Sequence, residues 1–167
     1  LASFNAEAVG YPTPTVRWQV STDGGGSWSD IADATATTLT FTADVSQNGY
    51  LFRAVFTSAA GSATSQAAAL TVHWPPAITQ DPANQTVVEG QTATFSAAAG
   101  ANPAPTVQWQ VSTDGGATWA DLDGATSASL SVNTVLAQNG YQYHAVFSNS
   151  AGSATSAAAT LTVHAVL

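Results

Sequence analysis

The chain repeats itself. Residues 1–76 laid on residues 92–167 give 40 identities without a gap. WQVSTDGG recurs (Trp18 to Gly25, Trp109 to Gly116), as do QNGY (Gln47 to Tyr50, Gln138 to Tyr141), AVF, AGSATS and LTVH. The offset of 91 residues is too long for a solenoid repeat or one propeller blade. It suits a whole small all-β domain. The chain is therefore expected to fold as two domains, 1–74 and 75–167.

Each copy reads as short strands. In the second, TATFSAAA (92–99) alternates, placing Ala93, Phe95 and Ala97 on one face. TVQWQV (106–111) does the same with Val107, Trp109 and Val111. SLSV, YQYHAVF and ATLTV continue the pattern, separated by Gly, Pro, Asn and Asp clusters. No segment carries apolar residues at helical spacing over three turns. The Ala-rich runs are too short for helix and are flanked by Thr, Ser and Val. The expected class is all-β.

Composition narrows the partners. Charged residues are 7% of the chain, yet 45% are hydrophobic, enough for small packed cores. The permanently charged cations are Arg17 and Arg53; there is no Lys, and the net charge is -8. Such a surface argues against nucleic acid and anionic membranes as partners. The chain has no Cys, so no disulfide forms, and without Lys no Lys–Asn isopeptide bond is possible. No apolar run approaches the ~20 residues needed to span a bilayer, so no membrane insertion is expected. LASFNAEAVG has neither a basic start nor an apolar core, so it reads as domain interior rather than a signal.

The order of features is a strand, a G-x-P-x-P-type loop, a strand with Trp, a hairpin, a strand, an N-G-Y turn, a strand, an A-G-S turn and a last strand. This resembles the immunoglobulin-like domain of the I-set type, as found in tandem in bacterial extracellular proteins. The resemblance implies two Greek-key β-sandwiches joined end to end. In that family a Trp on strand C packs on a disulfide between strands B and F. Trp18 and Trp109 match the Trp. The Cys positions fall on Ala6 and Ala54, and on Ala97 and Ala145, so packing must replace the bridge. The family's tyrosine corner falls on Tyr143; the first copy has Phe52, which has no hydroxyl.

The resemblance implies a non-catalytic structural or adhesion repeat, extracellular or on the cell surface, in a stalk or filament, without a cofactor. Its partners would be other repeats of the same chain, or a protein or glycan surface. Two alternatives share the fold: a carbohydrate-binding accessory module of a secreted enzyme, and a phage virion decoration or tail domain.

The layout raises a further expectation. Residues 75–91 supply the second copy with a first strand pair, bent at Asp81-Pro82 and turning at Glu89-Gly90. The first copy starts at the following strand. Either upstream sequence supplies the pair, or a neighbouring subunit donates a strand to the open edge. LTVH runs directly into Trp74-Pro75-Pro76, which predicts a semi-rigid joint with His73 or Trp74 packed there.

The candidate chemistry is sparse. STDGGGSW (21–28) and STDGGATW (112–119) fit S-x-D-x-G-x-[S/T]-W, which resembles the Asp-box of sialidases. In those families the box is a structural hairpin, and the substrate carboxylate is bound by an arginine triad that two Arg cannot supply. The residue types themselves suit a tight turn, with Asp accepting backbone N–H bonds and Gly permitting positive φ. Trp28 and Trp119 remain candidates for stacking on a sugar ring. Strand alternation places Arg17, Gln19, Arg53 and Val55, and Gln108, Gln110, His144 and Val146, on the outer face opposite the core. Asp23, Asp30 and Asp33, and Asp114, Asp121 and Asp123, cluster without the spacing of a calcium loop. His73 and His164 are equivalent positions too far apart to suggest a metal. No nucleophile elbow or phosphate loop is present, and turn carboxylates offer no cleft for a glycosidase pair. No catalytic residue, metal site or enzyme activity is expected.

Overall fold

A computed structural model of the chain describes residues 1–166. It contains two compact units, Leu1–Val72 and His73–Leu167. His73 falls within the second of these units. Trp74 already pairs in register with Asn102.

The first unit contains β1 (Ala2–Asn5), β2 (Thr15–Ser21), β3 (Ser29–Asp30), β4 (Thr38–Phe41), β5 (Leu51–Ser58), β6 (Gly61–Thr64) and β7 (Ala68–Ala69). β1 pairs with β4, while the second sheet runs β3-β2-β5-β6 with β7 also on β5. The period-two pattern of LFRAVFTS in β5 explains the layering: Phe52, Ala54 and Phe56 are buried, and Arg53 and Val55 face outward. Trp18 is 2% exposed at the centre of this core, and its indole N–H donates to the Ala36 carbonyl at 2.9 Å.

The second unit contains β8 (Trp74–Gln80), β9 (Gln85–Val88), β10 (Thr92–Ser96), β11 (Ala98–Asn102), β12 (Thr106–Ser112), β13 (Ala120–Asp121), β14 (Ser129–Asn133), β15 (Gln142–Asn149), β16 (Gly152–Thr155) and β17 (Ala159–His164). β10 pairs with β14, β8 with β11, and the larger sheet runs β13-β12-β15-β17-β9 with β16 on β15. The core holds Phe95, Trp109, Tyr143, Ala145, Phe147 and Leu161. The Trp109 indole N–H donates to the Ser127 carbonyl at 2.8 Å, as Trp18 does in its own unit.

Where a disulfide would lie, alanines fill the space. Ala97 is 2% and Ala145 0% exposed, and Trp109 pairs directly with Ala145. Trp18 pairs with the buried Ala54, but Ala6 is only half-buried. The two units differ in the same way at their phenylalanines: Phe95 is fully buried, while its counterpart Phe4 is half-exposed. The cause is β8 and β9, which bring Ile78 and Val87 against the second core. β9 lies parallel to β17, with Leu161 opposite Gln85 and Val163 opposite Val87. Among the described residues the first unit has no such pair.

The shared QNGY motif is structural. Short 3-10 turns at Val45–Gln47 and Leu136–Gln138 precede β5 and β15. Gln47 accepts from the Asp44 backbone N–H at 2.8 Å, and Gln138 from that of Val135 at 2.9 Å. The next residue ties this turn to the last strand region: Asn48 accepts from Val72 N–H and Asn139 from Val163 N–H, each at 2.9 Å. Among the described residues no helix is long and apolar enough to cross a membrane.

Candidate contact face

The Asp-box is a self-satisfied hairpin. In the first unit Ser21 Oγ donates to Asp23 at 2.7 Å and accepts the Gly25 N–H at 2.8 Å. Asp23 also accepts from the Ser27 N–H at 2.9 Å and the Ser27 hydroxyl at 2.6 Å. The second unit repeats each bond with Ser112, Asp114, Gly116 and Thr118. These donors stabilise the ionised carboxylates. The Thr118 hydroxyl and N–H, with Ser112, hold Asp114 down to about 2; Ser27 and Ser21 push Asp23 further below the usual range. An acid held ionised cannot protonate a leaving group. Gly25 and Gly116 stand at φ 98° and 94°, where side chains strain the backbone. A Cβ at Gly116 would also lie 2.9 Å from Gln142 Oε1.

The hairpin then aims its Trp back over the outer face. In the second unit Trp119 stacks on His144, with centroids 3.7 Å apart and planes 14° from parallel. His144 Nε2 is 2.7 Å from Gln110 Oε1, and Gln110 Nε2 donates to Asp121 at 2.7 Å. Because the Gln110 amide donates to Asp121, its oxygen is left to accept, which places the His144 proton on Nε2. Strand register puts these three side by side, with Gln110 opposite both His144 and Asp121.

The first unit builds the same line with a cation. The Arg53 guanidinium carbon lies 3.9 Å from the centroid of Trp28. Arg53 Nε donates to Gln19 at 2.9 Å, and Gln19 donates to Asp30 at 2.8 Å. Arg17 adds an exposed ion pair to Asp30 at 3.1 Å. Its counterpart Gln108 instead donates to the carbonyls of Trp109 and Leu122 at 2.9 and 2.8 Å.

The arrangement encloses the outer-face candidates more than strand alternation alone suggests. His144, expected on an open outer face, is only 9% exposed because Trp119 covers it. Burial pushes its pKa below the ordinary imidazole value. Trp28 and Trp119, the candidates for stacking on a sugar ring, are half-buried, each committed on one side to a strand residue. Sequence reading placed Arg17, Gln19 and Arg53 on one face and named Trp28 apart from them, but missed the line Trp–Arg/His–Gln–Asp. The signal was present: Gln19, Asp30 and Trp28 recur unchanged at Gln110, Asp121 and Trp119, while the stacked residue alone changes.

The other candidates stay apart. Among the described residues no three His, Cys, Asp or Glu converge as metal ligands. His73 and His164 are exposed. Asn84, which opens the N-x-T sequence Asn84-Gln85-Thr86, accepts the Thr160 N–H at 2.8 Å. In the first unit an apolar hollow of about 550 Å³ lies beside β4, lined by Val20, Ile31, Leu39, Phe41 and Phe52 among others.

These features can be set beside known proteins. Over 163 residues the chain is 47% identical to Endoglucanase C of Cellulomonas fimi, covering 97% of the chain and 14% of that protein. Over 109 residues it is 34% identical to Roundabout homolog 1 of Mus musculus, covering 65% of the chain and 7% of that protein. It thus spans a small part of either relative. The N-terminal four Ig domains of Dscam1 isoform 1.9 superpose with a TM-score of 0.63 at 26% identity, over 97% of this chain and 40% of that one. Isoform 6.9 gives 0.64 at 25%, over 97% and 40%. The two units are therefore tandem immunoglobulin-like domains. The family described as "Domain of unknown function (DUF8696)" matches residues 3–74 and 79–165, and the chain belongs to it, carrying its domain twice.

Proposed function

We propose that the tandem is a non-catalytic accessory module of a secreted, multi-domain, polysaccharide-active protein. The observation that carries this reading is the 47% identity, over nearly the whole chain, to a 14% portion of Endoglucanase C. A piece of that size beside an enzyme's other parts acts as a spacer or a substrate-side contact rather than as the catalyst. The chemistry of the face supports the same reading: the strongest acids, Asp23 and Asp114, are bound into their own turns. Trp28 and Trp119 are the groups best suited to touch a sugar ring, each held flat by its neighbour. The surface-stalk, filament and virion roles draw on the fold alone, and a fold does not specify a function.

The test compares the parent polypeptide with and without residues 1–167. Removing the tandem is expected to leave kcat on a soluble cellulose derivative unchanged and to lower the rate on insoluble cellulose. The purified tandem is expected to release no reducing sugar from either. Turnover by the tandem alone, lost on changing Asp23 and Asp114 to Asn, overturns the reading.

A further inference from the structure

The hollow beside β4 in the first unit joins an apolar floor to a polar rim. Its floor includes Leu39 and Phe52, both buried, and the half-buried Phe41. The Phe41 and Phe52 rings lie 5.1 Å apart between centroids. Asp33 and Tyr50 also line it, one exposed and the other half-buried. Every wall comes from residues 20–52, on β2, the turn after β3, β4, the QNGY turn and β5. It lies on the β3 and β4 side of the unit. In the second unit β9 closes the end of the sheet opposite β13, and β8 pairs with β11 rather than β14.

Asp33 stands where the turn does not need an aspartate. Its φ is 59°, the one positive φ outside glycine among the described residues, and the equivalent Gly124 stands at 72°. The Thr35 N–H donates to the Asp33 carbonyl at 3.0 Å, as the Thr126 N–H does to that of Gly124 at 3.0 Å. The same turn forms with either residue, and glycine enters it at less steric cost. The first unit holds a carboxylate there instead, and among the described residues that carboxylate has no hydrogen bond or ion pair. The Tyr50 hydroxyl likewise has no hydrogen-bond partner there. Val132 takes the place of Phe41 in the second unit, so this combination belongs to the first.

We propose that the hollow is a binding site for a small organic cation, an ammonium group carried on an aromatic body. The ammonium pairs with the Asp33 carboxylate and donates to the Tyr50 hydroxyl, while the aromatic body lies against Phe41 and Phe52. A free carboxylate beside aromatic rings suits a cation twice over, through the ion pair and through the negative ring faces. The net charge of -8 draws cations toward the surface. A volume of about 550 Å³ lies within the range of small-ligand pockets, roughly 300–1,000 Å³. The site is independent of the sugar contact proposed for Trp28, which stacks on Arg53 over the outer face.

The experiment titrates the full, isotope-labelled chain with 2-phenylethylamine and follows the backbone amides by NMR. Neutral 2-phenylethanol and anionic phenylacetate, of similar shape, are the comparison probes. The expected result is saturable shifts at residues 31–41 and 47–52, with one amine bound per chain and no such shifts at residues 122–143. The alcohol is expected to bind at least about tenfold more weakly, the loss of a charged hydrogen-bond partner, and phenylacetate not to bind. Asp33→Asn keeps a residue that tolerates positive φ, and Asp33→Gly copies the second unit's turn. Both are expected to weaken amine binding about tenfold and to leave alcohol binding unchanged. Absence of saturable shifts, equal affinity for the three probes, or full amine affinity in both variants overturns the proposal.

Discussion

The imidazole of His144 lies flat on the indole of Trp119, 3.7 Å between centroids, and this contact seals the histidine beneath the outer face of its sheet. The same place in the first unit holds Arg53 over Trp28. One scaffold thus carries a titratable group in one unit and a permanent cation in the other.

That difference makes the second unit pH-sensitive. Burial lowers the folded pKa of His144 below its ordinary value of 6.5. As pH falls through about 6.5, the unfolded chain binds the proton first. The stability contributed by neutral His144 is complete above that pH and is lost as pH drops toward the folded pKa. The second unit is expected to unfold at lower urea at pH 5 than at pH 7, across the imidazole range, and His144→Gln is expected to flatten that pH dependence. An unchanged slope in the variant refutes the link.

The Trp28–Arg53 contact is expected to be worth about 0.5–1 kcal/mol, the range for a partly exposed cation–π pair. A double-mutant cycle of Trp28→Ala and Arg53→Ala, followed by urea denaturation, measures it. Additive single effects within error would remove the contact as a source of stability.

Asp114 gives the second unit an acid limit of its own. Its pKa is held at about 2, against an ordinary 3.8, chiefly by the Thr118 hydroxyl and then by the Thr118 N–H and Ser112. Its stabilisation is present above the unfolded value and lost as pH falls from about 4 to about 2. Asp114→Asn is expected to lower the melting temperature at pH 7 and to flatten the curve across that acid window. Thermal melts by circular dichroism at stepped pH settle the point.

Equivalent core residues are expected to cost different amounts. Phe95→Ala and Trp109→Ala should each destabilise the second unit by roughly 3–5 kcal/mol, because both side chains are fully enclosed. Phe4→Ala should cost less, since Phe4 already meets solvent in the native state. Equal losses in Phe4→Ala and Phe95→Ala would show that β8 and β9 add no cover to the core.

The sequence by itself determined the class and the repeat. Period-two alternation, turn residues and a 40-identity self-match force two β-sandwiches built alike, because local patterning decides which side chains a strand can bury. It also marked Trp18 and Trp109 as core and the Asp-box as a turn. Tertiary structure alone decided what surrounds each equivalent residue. Phe4 and Phe95 share a place in the pattern, but β8 and β9 cover only one. Trp28 and Trp119 share a motif, but what lies beneath each ring comes from β5 or β15, strands distant in sequence. Burial is set by neighbours brought together across the fold, and one copy's spacing holds no record of which neighbours arrive.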